Sequence, residues 1–190
     1  MPAALRPRRR LLLDFGHTSE ALMNNMALMG VDPAGQDARV LSHGHRDHCG
    51  GLTGYLRRHR ARLRHAGGRR ARAGAFVADE HLHEHGIAYH VADMGLVVIS
   101  ACGHAGIVNT VRQAIEVSGV SKVHAVVGGF HLFTASDDYL GRTVAELKAF
   151  DPDVVIPLHC SGPEFVNMMR GTWGDRLVAS TTGTEFQFGW

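Results

Sequence analysis

The chain has 190 residues, 45% hydrophobic and 20% charged, with a formal net charge of +2. That composition excludes a disordered chain and any polyanion partner recruited by net charge alone, and the length suits one folded domain over residues 1–190. Three cysteines cannot all pair, and Leu11-Leu12-Leu13 is too short for a signal or membrane span, so a reduced, cytoplasmic protein with no membrane partner is expected.

Residues 1–10 carry Arg6, Arg8, Arg9 and Arg10 and are expected to be poorly ordered. Leu11 to Gly16 reads as a short buried strand ending in a glycine turn. Ser19 is placed to cap a helix over 20–29, with Leu22, Met26 and Met29 on one face and Gly30 closing it. A strand from Ala38 to Leu41 then runs into Ser42-His43-Gly44-His45-Arg46-Asp47-His48-Cys49-Gly50-Gly51. His43 and His45 are two apart, so on extended backbone both leave the same face, and Asp47 and His48 follow at once. Imidazole nitrogen and carboxylate oxygen suit zinc or a similar borderline divalent ion.

Residues 52–63 read as a helix with Leu52, Leu56 and Leu63 inward. Eight arginines fall within 57–72, but Tyr55 is the one aromatic near them. A solvated helix face and a loop over 64–78 is therefore expected, rather than a nucleic-acid surface. His81, His83 and His85 would share one face of a strand, as pocket lining or plain surface, or as a second metal tract. Strands follow at 87–91 and 96–100, joined by a turn at Asp93 to Gly95. After them come a helix over 109–117 with Val111 and Ile115 inward and a strand over 122–127. A helix over 137–150, with Leu140, Val144 and Leu147 inward, leads to a strand over 154–156 and a short helix over 164–170. Two last strands are expected at 176–180 and 185–188.

One grammar recurs: an apolar strand, a glycine-containing loop with histidine, then a helix. His43 and His45, His104, His131 and His159 all stand at strand ends, where loops on one edge of a sheet converge. Fourteen histidines in all is the one compositional signal of chemistry, and metal binding is the reading that accounts for four such loops. Each cysteine lies within two positions of one of these histidines: His48-Cys49, Cys102-Gly103-His104 and His159-Cys160. They read as small apolar residues packed beneath a metal loop, with thiolate ligation left open.

The stretches LLLDFG, SHGHRDHCGGL, GLVVISACGHAGIVNTV, VVGGFHL and VIPLHCSG resemble the metallo-β-lactamase-fold superfamily. The likeness is to its branch of metal-dependent hydrolases that includes 7,8-dihydropterin-6-methyl-4-(β-D-ribofuranosyl)-aminobenzene-5′-phosphate synthase. The resemblance implies an α/β protein of αββα sandwich type with a dinuclear site between its sheets. By motif, His43, His45 and His104 would hold one divalent metal, and Asp47, His48 and His159 a second. Two zinc ions are implied, with manganese, iron(II) or magnesium as alternatives, and Asp14 would steady the metal loop without ligating.

Two departures from the family pattern stand out. Where most of the superfamily has a metal-bridging aspartate, this chain offers His131, as a further ligand or a hydrogen-bond donor to substrate. Loss of that carboxylate leaves the site one unit more positive, which favours small anionic substrates. The chain also lacks the usual hairpin before LLLDFG and is shortened between the helix after the metal loop and Asp79, which removes pocket wall. An uncovered sheet edge at the N-terminal end would be relieved by a homodimer, or by a hairpin preceding Met1 in the native protein.

The expected activity is metal-dependent hydrolysis of a phosphate ester, ester or lactone by activated water, with Asp47 orienting that water as the catalytic carboxylate. The alternatives are transferase chemistry on a dihydropterin diphosphate, an RNA-processing nuclease, or a catalytically weak metal-binding or redox-sensing protein.

Overall fold

The computed structural model describes residues 9–58, 69–72, 75–78 and 84–189. Two compact units make up the chain, Met1–His65 and Ala66–Trp190.

In the first unit, β1 (Leu11–Leu13) pairs in parallel with β2 (Ala38–Val40), and helix α1 (Ser19–Leu28) lies between them in sequence. Leu11 is 46% exposed, so β1 is less buried than its composition predicts; the apolar payload falls instead on Phe15, which is fully buried. Arg10, expected to be poorly ordered, is tied to the start of β2. Its N–H donates to Asp37 Oδ2 at 2.6 Å, and its carbonyl accepts from Asp37 and Ala38. Thr18, not Ser19, caps α1, its Oγ1 accepting from the Ala21 N–H at 3.1 Å. Gly30 closes the helix at φ +66°, as the Gly30 and Val31 N–H groups donate to the Ala27 and Met26 carbonyls. Met29 thereby falls in the cap rather than on the helix and is 47% exposed, while Met26 is the buried residue of α1.

The one-turn helix α2 (Arg46–Cys49) and helix α3 (Leu52–Arg58) follow β2; the expected helix beyond Arg58 lies outside the described residues. Tyr55, on α3, is fully buried. Its ring meets Phe15 edge-to-face at 5.3 Å, and its hydroxyl donates to the Pro33 carbonyl and accepts from Arg39 Nε. Tyr55 is a core residue, which removes the one stacking platform a nucleic-acid reading had.

In the second unit, β3 (Arg69–Arg72) and β4 (Ala75–Ala78) pair as an antiparallel hairpin where a loop was expected. Four-residue strands give little periodicity to read, and the arginines mask what is there. His81 and His83 lie outside the described residues, while His85 directly precedes β5. A four-stranded sheet is built from β5 (Gly86–Val91), β6 (Gly95–Ser100), β7 (Val123–Gly129) and β8 (Val154–Leu158), in that order. β5 runs antiparallel to β6, and β6, β7 and β8 are mutually parallel. Helix α4 (Ile107–Ser118) joins β6 to β7, α5 (Asp137–Ala149) joins β7 to β8, and α6 (Pro163–Trp173) follows β8.

Leu96, Val98, Val123 and Val126 pack on one face with Val111, Leu140, Leu147, Phe165 and Met169 of the helices. Val97, Ala125, Val127 and Ile156 form the opposite face. Burial on both faces explains why β6 and β7 read as continuous apolar runs. The register slips at His124, which puts Val123 and Val126 on the same face although they are three apart. The strands expected at 176–180 and 185–188 do not form. A turn of 3₁₀ helix covers Gly174–Arg176, and one bridge joins Leu177 to Val155. The tail is held by side chains instead, with Val178 and Phe188 packed on the second face of the sheet.

Candidate metal centre

The first unit supplies four of the donors the sequence singled out, all from the exit of β2 and α2. Asp14 leaves β1 in left-handed backbone (φ +65°), which aims its carboxylate across to the neighbouring strand exit. Its Oδ1 accepts the Ser42 N–H at 2.7 Å, and its Oδ2 accepts the Ser42 hydroxyl at 2.7 Å. Oδ2 also stands 2.6 Å from His48 Nδ1, so that nitrogen carries the proton and His48 presents Nε2 as its electron-pair donor. Ser42 Oγ lies 2.8 Å from His43 Nδ1. With the hydroxyl proton committed to Asp14, His43 Nδ1–H donates to Ser42, and Nε2 becomes the donor atom there too. His43 Nε2 then faces His45 Nδ1 at 3.1 Å. His43 and His48 are buried, while His45 and Asp47 are exposed. Asp47 Oδ2 lies 3.4 Å from His48 Nε2.

Gly50 and Gly51 let this loop close against the exit of β1. A Cβ at either would collide with a carbonyl, of His17 or of Phe15. The Phe15 N–H donates to the His48 carbonyl, and the Gly51 N–H to that of Gly16. The loop is thus fixed by backbone before any ion contributes.

The second unit brings its three candidate histidines to the carboxyl ends of parallel strands. His104 follows β6, His131 follows β7 and His159 follows β8. His131 and His159 are held in left-handed backbone, φ +51° and +48°. Histidine tolerates this better than most side chains, yet it is a conformation found mostly where function or packing imposes it. The rings of His104 and His131 lie 3.9 Å apart, and Cys102 Sγ is 3.5 Å from His131 Nδ1. Donor atoms of Cys102, His104 and His131 lie within 4.8 Å of one another, as do those of Cys102, His159 and Cys160. Both sets have the spacing and the nitrogen and sulfur chemistry of a zinc-type ion. Cys102 and Cys160 thus stand within ligand spacing of these histidines, and Cys102 is also buried, as its apolar reading expects.

Two features of this unit go beyond what the sequence signals. The Glu84 carboxylate accepts from the Gly103 N–H at 2.7 Å and the Ala105 N–H at 2.6 Å, clamping the loop that carries His104 from both sides. The histidines around Glu84 drew the reading away from it, and the contact spans 19 residues to its nearer partner. Cys160 is the other. Its thiol is lowered to about 5, first by the hydrogen bond with Cys102, against burial, with His131 and the charge of His159 adding to the effect.

Parallel strands with histidines at their carboxyl ends, and a His-x-His-x-Asp-His loop after a further parallel pair, define a metallo-β-lactamase fold. A model of the metallo-β-lactamase superfamily matches residues 6–98. The crystal structure of Tm1679, a metal-dependent hydrolase of the β-lactamase superfamily, superposes with a TM-score of 0.76 at 21% identity, covering 94% of this chain and 88% of that one. The chain has the metallo-β-lactamase fold. It is 26% identical to 7,8-dihydropterin-6-methyl-4-(β-D-ribofuranosyl)-aminobenzene-5′-phosphate synthase of Methanocaldococcus jannaschii, over 95% of this chain and 85% of the relative. An uncharacterized protein of the same organism is 28% identical over 81% of this chain and 80% of its own length. The alignment to the synthase spans 250 positions against the 190 residues of this chain, so the relative carries segments that this one lacks.

Proposed function

We propose that the protein is a metal-dependent hydrolase acting on a small anionic substrate, a phosphate ester, ester or lactone. The observation that carries this reading is the Asp14–Ser42 network. It fixes the Nδ1 protons of His43 and His48 and leaves both Nε2 atoms as electron-pair donors facing the other candidate ligands, the arrangement that orients imidazoles toward a metal. The proposed ligands are His43, His45 and His104 for one ion and Asp47, His48 and His159 for another, with His131 as a further ligand or a donor to substrate. Divalent ions, zinc foremost, would supply Lewis acidity and an activated water. The chain's own residues do the rest. Asp14 and Ser42 keep the imidazoles oriented, Glu84 pins the loop behind His104, and the exposed Asp47 carboxylate would orient the attacking water while ligating. With no carboxylate at the His131 position, the centre keeps more positive charge and favours anions.

The test is metal analysis of protein purified without added metal, paired with a panel of phosphomonoester, phosphodiester, ester and lactone substrates. Replacing His43 and His45 together by Ala should remove bound metal and turnover in parallel. Full turnover in the metal-free double variant would sink the mechanism.

The relative named as a synthase supports a second reading, in which the same centre promotes condensation of two substrates. Release of pyrophosphate from a dihydropterin diphosphate only when an aromatic co-substrate is present would favour it over hydrolysis.

A further inference from the structure

Cys102 follows β6 and Cys160 follows β8, 58 residues apart, yet their Sγ atoms stand 3.1 Å apart. Unbonded sulfurs rarely pack so closely. Room for the pair is made by Gly129, where a Cβ would lie 3.0 Å from both Cys160 Sγ and the Cys102 Cα. Cys160 Sγ also meets the Cys102 carbonyl at 3.1 Å and receives the His131 N–H at 3.3 Å, so its position is fixed from three sides. A disulfide needs an S–S distance of about 2.05 Å, so closing this one asks roughly 1 Å of approach between the sulfurs. Cys102 is 4% exposed and Cys160 is half-buried, so the two differ in access. Cys49 has a separate partner, the Gly44 carbonyl at 3.4 Å.

We propose that Cys102 and Cys160 are a modification site, a dithiol that hydroperoxides oxidise to an intramolecular disulfide joining the loops of His104 and His159. The more accessible Cys160 sulfur attacks the peroxide, whose O–O bond breaks; Cys160 becomes a sulfenic acid and water or an alcohol leaves. The Cys102 sulfur then attacks the Cys160 sulfur, the S–O bond breaks and the hydroxyl departs as water. Two thiols and one hydroperoxide thus give one disulfide, one water and one alcohol (or a second water from hydrogen peroxide). Two electrons pass from the sulfurs to the peroxide. An external dithiol reverses the change.

The test uses the full chain as purified. Protein is exposed to graded hydrogen peroxide, blocked with iodoacetamide and read by intact mass and peptide mapping. The expected product is two hydrogens lighter before alkylation, takes the label at Cys49 alone, yields a peptide pair linked through Cys102 and Cys160, and reverts with dithiothreitol. Cys102→Ser and Cys160→Ser should each abolish the linked pair, and Cys49→Ser should leave it. Label on all three cysteines after oxidation, a sulfinic acid at Cys160 in place of the link, or a link through Cys49 would each overturn the proposal. The wild-type map decides the matter even where a serine variant fails to fold. Because the readout is mass, the result is independent of whether the hydrolase reading holds.

Discussion

Asp14 concentrates more of the first unit's geometry than any other side chain there. It meets Ser42 twice and His48 once, from a left-handed backbone position that costs free energy to hold. Replacing it by Ala should lower metal affinity about 10–100-fold, the usual effect of losing a carboxylate that orients a metal-binding imidazole. Competition with a chromogenic chelator measures this directly, and unchanged affinity would show that His48 needs no such support. His131 gives a second prediction. At φ +51° it stands where glycine is at ease and alanine is not. His131→Gly should therefore melt higher than His131→Ala, by the equivalent of about 1 kcal/mol, in thermal unfolding of the two variants. What was legible at this scale was whatever sat within one contiguous motif. His43, His45, Asp47 and His48 announce themselves by spacing, and Asp14 by its place in LLLDFG. Glu84 could not be read, because its role lies wholly in two backbone N–H groups far along the chain.

Elements with a buried face and defined caps were read almost to the residue. α5 was expected from Asp137 and begins there, because Ser136 caps it and accepts the Tyr139 N–H. β6 and β7 were plain because burial on both faces leaves an unbroken apolar run. The end of the chain misled for the opposite reason. Val178 and Phe188 have the β-favouring chemistry of strands, yet beyond Leu177 the described residues pair with no neighbour in a ladder, and their apolar side chains pack without one. α1 offers the sharpest check on local reading. Thr18 and Ser19 are equally good caps by type, and the geometry selects Thr18. Thr18→Ala should cost about 1 kcal/mol and Thr18→Ser very little, while Ser19→Ala should leave the cap intact, all by chemical denaturation.

At the scale of the whole molecule, pH reports on the seam between α5, β8 and the tail. Arg176 holds the Asp151 carboxyl below its ordinary value of 3.8, through a hydrogen bond and its charge. Asp153 is also lowered: burial raises it, but hydrogen bonds from Lys122 and His124 outweigh that. A carboxylate with a depressed folded-state pKa stabilises above its unfolded value and loses that contribution as pH falls through the folded value. The double variant Asp151→Asn, Asp153→Asn should thus melt slightly below wild type at neutral pH, and the two melting curves should converge as pH drops below 3.8. Thermal scans across that range check it, and a gap that widens toward acid would contradict the assignment.

The order of the strands also has a consequence in time. Cys102 and Cys160 are 58 residues apart and meet only once β6, β7 and β8 lie side by side. Parallel pairing through long crossovers is among the slower steps available to a folding chain, since loop closure must precede the contacts that reward it. The donors of the second unit therefore do not exist as a group in the nascent chain. An ion held by this unit's cluster would meet its donors only after the three strands have paired.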